Sequence, residues 1–182
     1  MILVDMNQVT LSNLMIQIGR NTDVDPDMVR HMVLNSLRGY RNRFNEEFGE
    51  LVLCYDNKGN WRREYFPNYK HGRRKDRKAS SLDWGAIFDT LHLIKQELQD
   101  NFPYKVLEVE SAEADDIIAS VVRYVSESPS HYEKVLIVSG DKDFIQLQKH
   151  SFVTQYSPVL KKFVNGIDPE VYIKEHILKG DR

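Results

Sequence analysis

Short apolar runs that stop at an acidic residue set the layout of this chain. Ile2-Leu3-Val4 closes on Asp5, and Leu51-Val52-Leu53-Cys54-Tyr55 is followed by Asp56. Soon after Lys105-Val106-Leu107-Glu108-Val109 come Glu113, Asp115 and Asp116; Val135-Leu136-Ile137-Val138 leads to Asp141 and Asp143, and Asp181 stands near the end. Runs this short, alternating with stretches of helical spacing, predict βαβ units in a mainly parallel sheet. In such a sheet ligands bind beyond the carboxyl ends of the strands. Four strands would therefore carry their acids to one place. Two carboxylates 4 Å apart repel by about 4 kcal/mol at an effective dielectric of 20, so the cluster calls for cations. An oxygen-only donor set favours magnesium or manganese over zinc. Phosphoryl chemistry is the natural use of such a site.

The intervening segments support this α/β reading. Val9 to Ile18 reads as a short helix. Asp25-Pro26 has the residues of a helix start, and Met28, Met32, Leu34, Leu37, Tyr40 and Phe44 recur at roughly helical spacing up to a stop at Gly49. Asp83 is placed to cap a helix reaching Leu98, Ala112 to Val125 reads as another, and Asp143 to Gln148 as a short one. Phe152 to Tyr156 suits a further strand, and Asp168-Pro169 opens a last helix to Leu178. At 182 residues the chain fits one domain with a proper core. The lone Cys54 excludes an internal disulfide framework and suits a reducing, cytoplasmic compartment. No apolar stretch approaches the ~20 residues of a membrane span.

The net charge of -2 conceals an asymmetry. From Lys58 to Lys78 nine basic residues face two acids, a local charge of +7 that leaves -9 for the remainder. Trp61, Tyr65, Phe66 and Tyr69 interleave the charges. Cationic side chains engage phosphates, and aromatic faces stack on unpaired bases at about 1–3 kcal/mol per base. From Asn57 to Ser81 no clean periodicity appears, so the sequence predicts a structureless connection. It exceeds the ~12–15 residues beyond which such connections are usually functional or disordered. A solvated charged loop is the plain alternative; the aromatics and the position just after Asp56 favour nucleic acid.

Ser139-Gly140-Asp141-Lys142-Asp143 is the sharpest local motif, with two acids one residue apart beyond a strand. Glu113-Ala114-Asp115 is a second acid pair, at a helix start. Acids near a helix N-terminus gain about 0.3–1 kcal/mol each, which explains one pair but not an acid at every strand end. Asp115 and Asp116 point about 100° apart on a helix. Asp115 is therefore favoured as a ligand, and Asp116 is left behind the ligands or in solvent.

In order along the chain, Leu3-Val4-Asp5, Val29-Arg30-His31, Leu34-Asn35-Ser36 and Val52 to Asn57 resemble one known family. Trp61-Arg62-Arg63, Tyr69-Lys70, Glu113 to Asp116, Ser139 to Phe144 and Leu178 to Asp181 continue the likeness. That family is the 5′-nuclease superfamily of flap endonucleases and 5′→3′ exonucleases related to PIN domains, and the likeness is strongest to the ribonuclease H type of T-even bacteriophages. The resemblance implies a Mg2+-dependent nuclease, with Mn2+ able to substitute, that removes RNA primers and flaps during lagging-strand replication. It implies that Asp5, Asp56, Glu113, Asp115 and Asp141 hold a first ion and that Asp143 and Asp181 help to hold a second. Residues 57–81 would be a flexible arch. In it Arg62 and Lys70 would sit at the scissile phosphate, while Trp61, Arg63, Tyr65, Tyr69, Arg73, Arg74 and Lys75 contact nucleic acid. The partners implied are DNA and RNA–DNA hybrids with 5′ ends or flaps, together with replication proteins. A phage source would place the protein in the cytoplasm of an infected bacterium. In the family another acid and a helix–three-turn–helix DNA-binding element follow, whereas this sequence stops at Arg182. A separate C-terminal polypeptide, or a longer chain, is expected to complete the enzyme.

Two further readings compete. Leu3 to Thr10 resembles the opening motif of haloacid dehalogenase-type phosphatases, although Asn7 cannot donate the proton that an acid supplies there. A non-catalytic nucleic-acid-binding half of a split nuclease is the other.

Overall fold

The computed structural model describes residues 1–19, 24–128 and 133–180, without the side chain of Arg74. Six strands form one sheet: β1 (Ile2–Asp5), β2 (Leu51–Cys54), β3 (Lys105–Leu107), β4 (Val135–Val138), β5 (Val153–Ser157) and β6 (Lys162–Val164). Their order is β3-β2-β1-β4-β5-β6, with every pairing parallel except β5 with β6. The helices are α1 (Met6–Ile18), α2 (Pro26–Phe48), α3 (Arg62–Tyr65), α4 (His71–Ala79), α5 (Trp84–Asn101), α6 (Ala114–Glu127) and α7 (Pro169–Lys179), with a 3-10 helix over Lys142–Lys149.

Both faces of the sheet are covered, which explains why its central strands are apolar throughout rather than alternating. Ile2, Val4, Leu51, Leu53, Leu136 and Val138 pack with Val33, Leu37, Ile87 and Ile94 of α2 and α5. The alternate residues Leu3, Cys54, Val135 and Ile137 pack with Ile118 and Val122 of α6 on the other side. Because side chains in a strand point to opposite faces in turn, a register slip of one residue would exchange the two cores.

Local signals set most helix starts. Asp25, Asp83 and Asp168 each accept backbone N–H bonds at the head of α2, α5 and α7, with Pro26 and Pro169 in the first turn of α2 and α7. Gly49 ends α2 at φ 83°, a left-handed conformation that glycine adopts without penalty. Helix α1 starts at Met6 rather than Val9, because Asp5 itself accepts the Gln8 N–H at 3.1 Å. Strand and helix thus meet at one acid. Strand β6 was not apparent in the sequence: its three residues are too few for a period, and pairing with β5 defines it.

The expectation of a structureless connection over 57–81 is corrected. Residues 62–65 and 71–79 are helical as α3 and α4. Among the described side chains neither helix has a buried residue to mark an apolar stripe, which is why periodicity missed them. Contacts to the rest of the chain hold the segment instead. Trp61 N–H bonds Ser111 O at 2.9 Å, and Arg77 lies over the rings of Trp84 and Phe88. No helix among the described residues is long and apolar enough to cross a membrane.

Candidate active site

The order β3-β2-β1-β4 puts four parallel carboxyl ends side by side, and chain direction reverses its progress across the sheet between β1 and β4. That reversal opens the crevice where ligands of open α/β sheets bind. Asp5 ends β1, Asp56 follows β2, Glu113 and Asp115 open α6 after β3, and Asp141 follows β4. Their contacts cross between strands. Asp56 Oδ1 accepts the Ala114 N–H at 2.7 Å, tying the β2 end to the head of α6. The Ser139 hydroxyl lies 3.0 Å from Asp5 Oδ2 and also receives the Asp141 N–H at 3.1 Å.

Electrostatics mark the same place. Loss of hydration, aided by the charges of Asp56 and Asp141, pushes Asp5 up to about 6 despite hydrogen bonds from Gln8 and Ser139. Asp56 keeps an exposed flank but stands deep enough in the cleft that desolvation, then Glu113, raises it too. Burial likewise raises Asp115. Glu113 goes the other way: its burial is outweighed by Lys70, Tyr69 and Asn60, which hold its carboxyl below the ordinary range.

The basic segment closes over this cleft. Lys70 Nζ lies 2.5 Å from Glu113 Oε1, and Tyr69 donates its hydroxyl to Glu113 Oε2 at 2.8 Å. Arg62 meets Glu113 at 3.1 Å, forks onto Asp116 at 2.8 Å and stands 3.9 Å from Asp115. Its guanidinium also lies over the rings of Trp61 and Tyr69. Lys70 adopts a left-handed backbone at φ 53°. A side-chain-bearing residue held there stores roughly 1–3 kcal/mol, a cost that tends to accumulate at functional sites.

Of the sequence-predicted residues, Asp5, Asp56, Glu113, Asp115, Asp141, Arg62, Lys70, Trp61 and Tyr69 are joined by these contacts and charges. Asp143 lies in the first turn of the 3-10 helix, its N–H bonded to Asp141 Oδ1 at 3.0 Å. Arg63, Tyr65, Arg73 and Lys75 are exposed, with Tyr65 edge-on to Trp61. Asp181 and the side chain of Arg74 lie outside the described residues. Asp116, expected in solvent or behind the ligands, is half-buried and receives Arg62, the Trp61 indole and the Glu113 N–H. Its place three residues after Glu113 is a capping-box spacing, a signal that could have found it.

Other residues escaped sequence reasoning. Asn57 Oδ1 accepts the N–H groups of Gly59 and Ser111, while its amide donates to Glu108, stapling the β2 end to the loop before α6. Asn7 stands near Asp56 and offsets part of the rise in its pKa. Gln8 reaches the Gly140 N–H.

No group of three or more His, Cys, Asp or Glu side chains among the described residues is arranged to hold a metal ion as it stands. Arg62 and Lys70 supply positive charge on the Glu113 side instead. The donor chemistry still fits a hard divalent cation: the crowded groups are carboxylates, and Asp5 is a half-buried acid whose pKa is raised by desolvation and then by its acidic neighbours.

Comparison with known proteins accords with this architecture. The ribonuclease H of Enterobacteria phage T4 is 36% identical over 185 residues, covering 99% of this chain and 60% of that protein. Flap endonuclease Xni of Shewanella oneidensis is 29% identical over 129 residues, covering 66% of this chain and 44% of the relative. The chain thus spans about 60% of the phage relative and less than half of the bacterial one. The flap endonuclease of bacteriophage T5, solved in complex with DNA and metal ions, shares the fold at TM-score 0.70 and 18% identity, over 99% of this chain and 66% of that one. A sequence model of the 5′-3′ exonuclease N-terminal resolvase-like domain matches residues 4–177, and the chain belongs to that family.

Proposed function

We propose that this chain is the catalytic domain of a magnesium-dependent 5′→3′ exonuclease and flap endonuclease acting on DNA and RNA–DNA hybrids with 5′ ends. The observation that carries the reading is the approach of Arg62 and Lys70, from one basic segment, to Glu113 and Asp116 at the head of α6, beside the carboxyl ends of the parallel strands that lead to Asp5, Asp56 and Asp141. Asp5, Asp56, Glu113, Asp115 and Asp141 would hold a first Mg2+, and Asp143 and Asp181 would help with a second; Mn2+ would substitute. Bound there, the ions would supply activation of water and neutralisation of the leaving oxygen.

The chain's own side chains have separate work. Lys70 stays protonated because Glu113 outweighs its burial, so it presents a full charge to a phosphate. Arg62 adds a planar donor fork suited to phosphate oxygens, and donors aimed at developing charge lower the barrier. Exposed Arg63, Arg73 and Lys75 would engage the backbone of the substrate, while Trp61, Tyr65 and Tyr69 offer faces to bases. The family's role in primer and flap removal, and a cytoplasmic site of action, follow by likeness.

Further polypeptide would complete the nuclease. In support, α7 has no buried residue, and Val171, Ile177 and Leu178 are 51%, 74% and 85% exposed. The test is cleavage of a 5′-labelled flap substrate across a Mg2+ series, with Asp141→Asn as control. Metal-dependent cleavage lost in the variant supports the nuclease, and cleavage indifferent to both refutes it. Near-full activity of this chain by itself would refute the need for more polypeptide. Trapping of a phosphoaspartate on Asp5 would favour the phosphatase reading; against it, both Asp5 oxygens lie in hydrogen bonds and Asn7 faces Asp56.

A further inference from the structure

Two glutamine amides grip the Ser139–Gly140–Asp141 turn from opposite sides, and neither belongs to the carboxylate set. Gln155 lies in β5 between Ile137 of β4 and Val164 of β6, with no exposed surface. Its Nε2 donates to Ser139 O at 3.0 Å and to Asp141 O at 2.7 Å. Its Oε1 accepts from Gln148 Nε2 at 3.0 Å, so both ends of the amide are used. On the other side Gln8 Oε1 accepts the Gly140 N–H at 2.5 Å and lies 3.3 Å from the Ser139 hydroxyl. Gly140 leaves little room there: a Cβ would meet Ser157 Oγ at 3.0 Å and Gln8 Oε1 at 3.4 Å.

An amide in the middle of a buried strand is costly unless every polar atom is paired. Gln155 has that pairing only because the turn offers two carbonyls side by side. The same turn directs Asp141 into the cleft and, through the Asp143 N–H on Asp141 Oδ1, sets the start of the 3-10 helix. We infer that Gln155, opposed by Gln8, is a positioning residue that fixes the direction in which Asp141 and Asp143 leave the turn, and so the metal affinity of that side of the cleft. The inference rests on the reading of Asp141 as a metal ligand. Gln155 acts through backbone carbonyls and touches no reacting atom.

The experiment measures Mn2+ affinity by titration calorimetry and metal-free melting temperature in the parent, Gln155→Met, Gln148→Met, Asp141→Asn and the Gln155→Met/Asp141→Asn pair. Groups behind metal ligands change affinity by about 10- to 100-fold when removed, so Gln155→Met is expected to weaken Mn2+ binding by about tenfold or more. The pair should bind no more weakly than Asp141→Asn alone, because both changes act through one carboxylate. Gln148→Met, which removes only the donor that orients Gln155, should weaken binding by a smaller factor with the melting temperature held, and it decides the matter if Gln155→Met does not fold. Parent-like affinity in both glutamine variants, beside weakened Asp141→Asn, overturns the clamp alone. Parent-like affinity in Asp141→Asn overturns the assignment of Asp141 and the clamp with it.

Discussion

Arg62 and Asp116 form a two-point fork, Nη1 to Oδ2 and Nη2 to Oδ1, each at 2.8 Å. Asp116 Oδ2 also accepts the Trp61 indole N–H at 3.1 Å and the Glu113 backbone N–H at 3.0 Å. One carboxylate therefore joins the basic segment to the head of α6. Asp116→Asn should free Arg62 and lower the single-turnover cleavage rate by about tenfold, a change of about 1.4 kcal/mol. Arg62→Lys should lose a similar factor, since an ammonium cannot make the planar fork. Rates at saturating substrate check both, and full activity in Arg62→Lys would deny the fork any part.

Asp5 predicts a pH-dependent gain in stability. Its folded pKa of about 6 exceeds the ordinary 3.8, so the folded state holds the proton more tightly. The stability this proton contributes is fully present below about pH 4 and is lost as the pH rises to about 6. Near pH 7 the ionised group costs up to about 3 kcal/mol, at about 1.4 kcal/mol for each pH unit that separates the two values. Asp5→Asn, whose amide oxygen still caps α1, should raise the melting temperature of metal-free protein at about pH 7.5, above both values, but not at about pH 4. An equal change at both pH values would contradict this. Added Mg2+ should narrow the gap, because only the parent gains a ligand.

Glu113 predicts the reverse for Lys70. Lys70→Met leaves a buried carboxylate that keeps Tyr69 and Arg62 at 2.8 and 3.1 Å. Loss of a charged hydrogen bond should destabilise metal-free protein by about 1–3 kcal/mol. Because a bound cation would neutralise the same carboxylate, Mg2+ should raise the melting temperature more in Lys70→Met than in the parent. Thermal melts with EDTA and with Mg2+ measure both effects, and identical Mg2+ responses would separate Glu113 from the metal.

Arg73 and Lys75 of α4 are exposed. Replacing Arg73 and Arg74 together with Gln should shallow the salt dependence of duplex DNA binding by about 0.9 for each phosphate no longer neutralised. The melting temperature should hold. An unchanged slope would remove this part of the segment from the DNA-binding surface.

Capping residues were the most legible feature of the chain. Asp25-Pro26, Asp83 and Asp168-Pro169 start helices because an acceptor side chain and a fixed φ act within one turn. The four apolar runs were equally plain, since both of their faces are covered. Helices α3 and α4 were not, because no buried stripe marks them and remote contacts support them. The place of Asp116 was hidden for a related reason: a 100° offset from Asp115 excludes it from one ligand's place. That offset says nothing of Arg62, 54 residues away.

Local chemistry in the sequence was enough to determine the four central strands and the capped helices, and that each central strand delivers an acid at or soon after its end. The strand order that makes those acids neighbours was decided only by the tertiary structure. So were the choice of Glu113 and Asp116 as partners for the basic segment and the two glutamines behind the Asp141 turn. Caps and apolar runs act over a few residues, whereas these pairings join groups as far as 132 and 134 positions apart whose meeting depends on how the whole core packs.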